Sequence, residues 1–76
     1  MTLDEIDTAI MEIVSKRGKA NIDQIVNDLS RDYNINILRK RVRNHADSLE
    51  RFDFLKKSVE KMMSRRQAQY VYEVVE

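Results

Sequence analysis

Apolar residues recur at helical spacing along the first two thirds of the chain and predict three helices. The first runs from Thr2 to Arg17, the second from Ile22 to about Arg31, and the third from Asn36 to Phe52. Each segment places its apolar side chains on one side of a wheel drawn at about 100° per residue, as an amphipathic helix does. The stripe of the first helix, which we expect to form core, consists of Leu3, Ile6, Ala9, Ile10, Ile13 and Val14.

Residues that cap helices stand at the predicted helix ends. The segments Thr2–Glu5 and Asn21–Gln24 both have the form of a capping box, whose first and fourth side chains bind backbone N–H groups of the first turn. Asn36 is suited to cap the third helix. Gly18 follows the last turn of the first helix, where a left-handed residue commonly ends a helix. These signals predict short connections between the helices.

After Asp53 the apolar pattern changes from a helical period to alternation. The segment Tyr70–Val75 alternates and is rich in aromatic and β-branched residues, which predicts a strand. Phe54–Met62 carries a fainter strand pattern. The basic segment Ser64–Gln67 lies between the two, and because it contains no glycine we expect a loop longer than a two-residue turn. Together these segments predict an antiparallel hairpin.

The segment from Leu55 to Gln69 also permits a second interpretation. Most of its residues are good or acceptable helix formers, so a fourth helix is the alternative to the first strand and the loop. On the strand interpretation, Leu55 and Val59 lie on the inner face. The three lysines of this strand would then either extend a basic surface or discourage edge-to-edge aggregation.

The third helix separates apolar from basic residues. Its inner arc is predicted to pack on the core and consists of Leu38, Val42, His45, Ala46, Leu49 and Phe52. Its outer arc carries mostly cations and consists of Arg39, Lys40, Arg43, Asn44, Asp47 and Arg51. Arginine, lysine and asparagine are side chains that hold phosphates and read base edges. The helix is therefore a candidate recognition helix, and a merely solvated helix face is the alternative.

Length and composition narrow the class of protein. A chain of 76 residues predicts one domain over residues 1–76. The absence of cysteine excludes disulfides and thiolate metal sites, and no segment has the pattern of a membrane span or a signal peptide. With 42% hydrophobic and 36% charged residues, the chain is too apolar for a disordered protein. We expect a small cytoplasmic protein that does not associate with membranes.

The net charge of +1 says little, but the charges are segregated along the chain. Residues 1–33 contain four basic and seven acidic residues, whereas residues 34–76 contain ten basic and six acidic ones. All ten cations of the second part lie between Arg39 and Arg66. A basic region of this kind is the electrostatic pattern expected of a nucleic-acid-binding face.

The order of helix, short helix, turn, basic helix and hairpin resembles the winged helix-turn-helix family from about Leu3 to Val75. The segments that carry the resemblance are 22–29 in the second helix, 34–36 in the turn, 42–46 and 49–51 in the third helix, and 54–55 and 70–72 in the hairpin. The sequence departs from the family in a longer turn and in having no glycine at Asp53 or at the tip of the hairpin.

The resemblance implies an α+β fold, mostly α, with three helices and a C-terminal β-hairpin wing. It implies that the third helix enters the major groove of double-stranded DNA and that the wing contacts the backbone or the minor groove. The residues predicted to bind DNA are Asn36, Arg39, Lys40, Arg43, Asn44, Arg51, Arg65 and Arg66.

The residues provide no grouping suited to catalysis or to metal binding. His45 is the only histidine, and without a second histidine or a cysteine it does not predict a metal site. No base with a nucleophilic or orienting partner is apparent, so we expect no enzyme, no cofactor and no small-molecule ligand. Arg41, at the flank of the apolar arc, is expected to pair with Asp28 or Asp32.

The sequence favours a small sequence-specific DNA-binding protein, a transcriptional regulator located with the nucleoid in the cytoplasm. One module of this size covers little DNA, so a homodimer on a two-fold site is expected. The alternative is a winged-helix protein–protein adaptor in a transcription, replication or membrane-remodelling assembly, which the acidic N-terminal half and the small net charge permit.

Overall fold

The computed structural model describes residues 3–75, in which three helices precede a two-stranded antiparallel sheet. The elements are α1 (Glu5–Arg17), α2 (Ile22–Tyr33), α3 (Arg39–Arg51), β1 (Leu55–Met62) and β2 (Ala68–Val74). This is a winged-helix-like α+β fold that is mostly helical, and it confirms the predicted fold class. The alternative fourth helix over residues 55–69 is wrong, because most of this segment pairs with β2 or belongs to it.

α1 begins later than the sequence pattern indicates. Its N-cap is Asp4, whose carboxylate accepts a hydrogen bond from the backbone N–H of Asp7, and the Asp7 carboxylate accepts one from the N–H of Asp4. The predicted start at Thr2 is therefore wrong, and Thr2 itself lies outside the described residues. Gly18 ends the helix with a φ of 79°, in the region that glycine adopts most readily.

α2 is capped at both ends. The predicted capping box of Asn21 and Gln24 is present. At the other end the helix continues two residues beyond the predicted Arg31, because Asn34 takes the left-handed conformation and its N–H donates to the carbonyl of Leu29. The connection to α3 is therefore residues 34–38.

α3 begins at Arg39 with no side-chain cap, and its N-cap residue is Leu38. The prediction that Asn36 caps this helix is wrong. Asn36 lies two residues before the N-cap position, and its Oδ1 accepts a hydrogen bond of 2.7 Å from the Ser30 hydroxyl. The turn is thus tied to α2 instead of to the first turn of α3.

The core lies between the three helices and the inner end of the hairpin. Its largest fully buried side chains come from the three helices and β1, and they are Ile10, Val14, Ile25, Leu29, Val42, Leu49 and Leu55. β2 contributes Tyr72 to the same core. The predicted stripe of α1 is confirmed, with Leu3 and Ile6 at its partly buried edge.

Two members of the predicted inner arc of α3 are not buried. Leu38 is 73% exposed and Phe52 is 52% exposed. The helix begins at Arg39 and ends at Arg51, so both residues lie outside its regular turns. Asp53 then adopts a φ of 65° and leads the chain out of the helix, as its type permits.

The hairpin pairs Leu55 with Val74, Lys57 with Tyr72, and Val59 with Tyr70. A bulge between Val59 and Lys61 shifts the register near the tip. Ala20 makes one antiparallel bridge to Tyr72 on the other side of β2, which joins the segment after α1 to the sheet. The predicted short connection between the first two helices is confirmed and consists of residues 18–21.

Val59 was predicted to lie on an inner face, but it is 51% exposed. Val59 lies on the same face of β1 as Leu55, which is buried at the inner end of the strand. Every residue of β1 after Leu55 is exposed, so the outer part of the hairpin adds little to the core.

Candidate nucleic-acid interface

A groove runs between α3 and the wing, which we define as β1, β2 and the loop of residues 63–67. α3 contributes Arg39 and Arg43 to one side of the groove. The wing contributes Lys57, Arg66 and the aromatic ring of Tyr70 to the other. The first turn of α2 closes one end with Asn21, Ile22 and Asp23. Cations that are far apart in the sequence thus meet in one concave surface.

The wing is fixed to α3 by a hydrogen-bonded contact in the floor of this groove. The hydroxyl of Tyr72, a side chain buried in β2, donates to Oδ1 of Asp47 over 2.6 Å. The ammonium group of Lys57 lies 3.3 Å from the same oxygen, 5.0 Å from the centre of the Tyr70 ring and 5.8 Å from that of Tyr72. Burial, together with the hydrogen bond to Asp47, raises the pKa of Tyr72 above its ordinary value. The tyrosine therefore remains a neutral donor.

Four cations and two carboxylates line the groove, so its excess charge is positive. The cations are Arg39, Arg43, Lys57 and Arg66, and the carboxylates are Asp23 and Asp47. Asp47 is engaged with the wing, and Asp23 accepts a hydrogen bond of 2.7 Å from Nε of Arg39. Arg43 and the guanidinium of Arg66 make no ion pair within residues 3–75.

The other predicted DNA-binding residues are distributed around this groove. Lys40, Asn44 and Arg51 are exposed on the outer side of α3, and none forms an ion pair with another residue of the described range. Arg65 is exposed at the wing tip. Asn36 lies apart from them, in a separate cavity between α2, the turn and α3.

The wing tip is ordered by a serine that the sequence interpretation overlooked. The hydroxyl oxygen of Ser64 accepts hydrogen bonds from the backbone N–H groups of Arg66 and Gln67. The carbonyl of Gln67 in turn accepts from the N–H groups of Met63 and Ser64. Serine side chains stabilise turns in this way. The presence of Ser64 at the start of the loop could have indicated this turn. The loop holds its shape without a glycine.

The outer part of the wing also carries a cluster of exposed apolar residues. Met62 and Met63 are both 59% exposed, and Val59 and Tyr70 are exposed on the face turned towards α3. Exposed apolar side chains that adjoin one another often mark a contact surface.

Arg41 does not make the predicted ion pair with Asp28 or Asp32. Asp28 is 5% exposed and binds Arg17 and Arg31 instead, and Arg31 also binds Asp32. The hydrogen bond from Arg17 holds the pKa of Asp28 below its usual range. Arg41 instead lines the cavity beside the turn. The pair of Arg17 and Asp28 joins α1 to α2, whereas Asp32 pairs within α2. Neither carboxylate lines the groove.

The single histidine lies beside two aspartates. Its Nδ1 is 2.7 Å from Oδ1 of the buried Asp7, and the ligand-type atoms of Asp4, Asp7 and His45 lie within 4.8 Å of one another. The sequence does not predict this proximity. Each carboxylate already takes part in the capping box of α1, so hydrogen bonding accounts for the arrangement. His45 ties α3 to the start of α1.

No protein-family model matches the sequence, and no curated protein is similar enough to count as a relative. Within residues 3–75, no helix has the length and apolar character needed to cross a membrane. Functional interpretation of the groove therefore depends on its own geometry and chemistry.

Proposed function

We propose that this protein binds double-stranded DNA sequence-specifically and regulates transcription. α3 would lie in the major groove, and the wing would contact the backbone or the adjacent minor groove. The observation that carries the proposal is the groove between them, in which Arg43 and Arg66 are unpaired among the described residues. Unpaired cations on both sides of a groove suit the passage of one phosphate backbone through it.

The rigidity of the two sides supports the same proposal. The bond between Tyr72 and Asp47 fixes the inner end of the wing, and Ser64 orders the loop that carries Arg65 and Arg66. A binding surface that is already ordered loses less conformational entropy when its ligand binds.

Two arginines in the groove and two lysines outside it allow a matched test. Replacing both Arg43 and Arg66 by alanine removes two cations from the groove. Replacing Lys16 and Lys19 by alanine removes two from the end of α1, and neither lysine lines the groove. Fluorescence anisotropy with random duplex DNA over a range of salt concentrations measures the slope of log affinity against log salt.

We expect the slope to become shallower by about 0.9 for each phosphate that the arginine variant no longer neutralises. The lysine variant should retain the wild-type slope. A flat salt profile for the wild-type protein, or equal effects of the two double substitutions, would contradict duplex binding through the groove.

A protein–protein adaptor is the second candidate, and the exposed cluster of Val59, Met62, Met63 and Tyr70 favours it. Methionine and tyrosine are commoner in protein interfaces than on the rest of a surface. If the arginine variant retained duplex DNA as well as the wild type does, the adaptor would become the better proposal.

Dimer formation belongs to the DNA-binding proposal. A single module buries about 600–1,000 Å² on DNA, which is small for tight specific binding. We expect two copies on a two-fold site, and light scattering with and without a selected duplex would measure the stoichiometry.

A further inference from the structure

The ion pair between Arg39 and Asp23 is unusual for its position. Arg39 is the first residue of α3 and Asp23 lies in the first turn of α2, so the pair joins two helix starts at the end of the groove. A carboxylate there repels the phosphates that the neighbouring cations would attract. The presence of Asp23 at this position therefore calls for an explanation.

Part of its role is local, because an acidic residue in the first turn stabilises a helix through the helix dipole. That role is satisfied by a carboxylate pointing into solvent and does not require a bond to Arg39. The same local role is filled in α1 by Glu5, which has no arginine partner among the described residues. The bond to Arg39 therefore calls for a separate explanation.

The atoms used in the bond leave the end of the guanidinium available. Asp23 Oδ1 accepts from Nε of Arg39 over 2.7 Å, and neither terminal nitrogen of Arg39 hydrogen-bonds within residues 3–75. Those two nitrogens form the fork that pairs with O6 and N7 of guanine in the major groove. A carboxylate on Nε fixes the plane of the fork and limits its rotation.

We propose that Arg39 reads a guanine in the major groove and that Asp23 is the residue that positions it. The inference rests on the proposed binding of duplex DNA and assigns different roles to the cations of the groove. Arg43 and Arg66, which have no carboxylate partner in the described part of the chain, contact phosphates and carry no base information.

Removing Asp23 should have opposite effects on two kinds of binding. Affinity for random duplex DNA stays the same or rises, because a negative charge leaves the groove. Affinity for the preferred site falls, because the guanidinium loses its fixed orientation. A bond that served only the stability of α2 would lower both in parallel through loss of folded protein.

The experiment first selects a preferred duplex from random DNA and then replaces its guanines singly by 7-deazaguanine, which lacks the N7 acceptor. Each duplex is titrated with wild type, Arg39→Ala, Asp23→Ala and Glu5→Ala. Glu5→Ala is the matched control, since it also removes an acid from the first turn of a helix. Circular dichroism confirms that each variant is folded.

We expect one guanine at which the replacement weakens wild-type and Glu5→Ala binding by about tenfold, in line with the discrimination of a bidentate contact. Arg39→Ala should be nearly insensitive there, and Asp23→Ala should be clearly less sensitive than the wild type. The inference is overturned if no guanine is sensitive, or if Asp23→Ala keeps the wild-type sensitivity. Failure of the wild-type protein to bind any duplex would overturn the proposed function, and this inference with it.

Discussion

The pair of helices α1 and α2 differs from α3 and the wing in how completely its polar groups are satisfied. Both helices of the pair begin with a capping box, and α2 ends in a left-handed asparagine that binds the last turn. α3 begins at Leu38 without any side-chain cap. The start of α3 therefore lacks a stabilising interaction that the other two helices have.

The charges follow the same division. Between α1 and α2, the buried Asp28 binds Arg17 and Arg31. On α3 and the wing, the ion pairs of arginine and lysine lie between exposed or partly exposed side chains. Arg43 and Arg66 make no ion pair within residues 3–75. Proteins depart from locally optimal choices mainly at functional sites. Under the proposed function, the first region stabilises the fold and the second region binds DNA.

Burial of apolar side chains along α3 provides the largest expected effect. Leu49 is fully buried, whereas Leu38 at the start of the same helix is mostly exposed. We expect Leu49→Ala to lower the free energy of unfolding by about 2–5 kcal/mol, because it leaves a cavity in the core. Leu38→Ala should change it little. Urea unfolding followed by circular dichroism measures both, and equal effects would mean that Leu38 packs more tightly than its exposure indicates.

Asp28 provides the next largest effect and a dependence on pH. Asp28→Asn should lower the free energy of unfolding by about 1–3 kcal/mol at neutral pH, because the buried network with Arg17 and Arg31 loses its acceptor. Asp23→Asn, which alters an exposed pair, should cost much less.

The sign of the pH effect follows from the lowered pKa of Asp28 in the folded state. An unfolded aspartate has a pKa of about 3.9. The stabilisation is therefore complete above that value and is lost as the pH falls through the lower pKa of the folded protein. Urea midpoints of wild type and Asp28→Asn should converge as the pH falls below about 4. A difference that stayed constant down to pH 2 would contradict this account.

The elements of the fold were predictable because their signals are local. The capping box of Asn21 and Gln24 and the strand alternation of residues 70–75 depend on neighbouring residues only. The start of α1 was not predictable in the same way. Thr2 and Asp4 each precede a suitable acid by three residues, and the pattern alone does not choose between them. The exposure of Val59 depends on how far the wing extends past the helices, which its own sequence does not encode.

Three of the four cations that line the groove are among the residues predicted to bind DNA, and the lysine of β1 is not. Helical spacing assigned Arg39 and Arg43 to one surface, and the hairpin pattern assigned Arg66 to the wing tip. The partners came from distant parts of the chain: Asp23 lies 16 residues from Arg39, and Tyr72 lies 25 residues from Asp47. Such pairs form only in the folded structure. The helical pattern therefore assigned Asp47 to the basic side of α3 but did not show that it binds Tyr72.

The bond between Tyr72 and Asp47 should contribute less than the Asp28 network, because Asp47 is partly exposed to water. We expect Tyr72→Phe to lower the free energy of unfolding by about 1 kcal/mol. Tyr70→Phe is the matched control, since the Tyr70 hydroxyl makes no hydrogen bond within the described residues. Amide hydrogen exchange in β2 should accelerate in the first variant alone. Equal acceleration in both would show that the hydroxyl of Tyr72 does not hold the wing.

The smallest expected effect is a gain in stability at the start of α3. Leu38→Ser supplies the side-chain cap that this helix lacks, and such caps contribute about 1 kcal/mol. Because Leu38 is 73% exposed, little apolar burial is lost. Urea unfolding should show the gain for Leu38→Ser and not for Leu38→Ala, which removes the same apolar side chain without adding an acceptor. If the two variants were equally stable, the absence of a side-chain cap would not reduce the stability of α3 relative to the two capped helices.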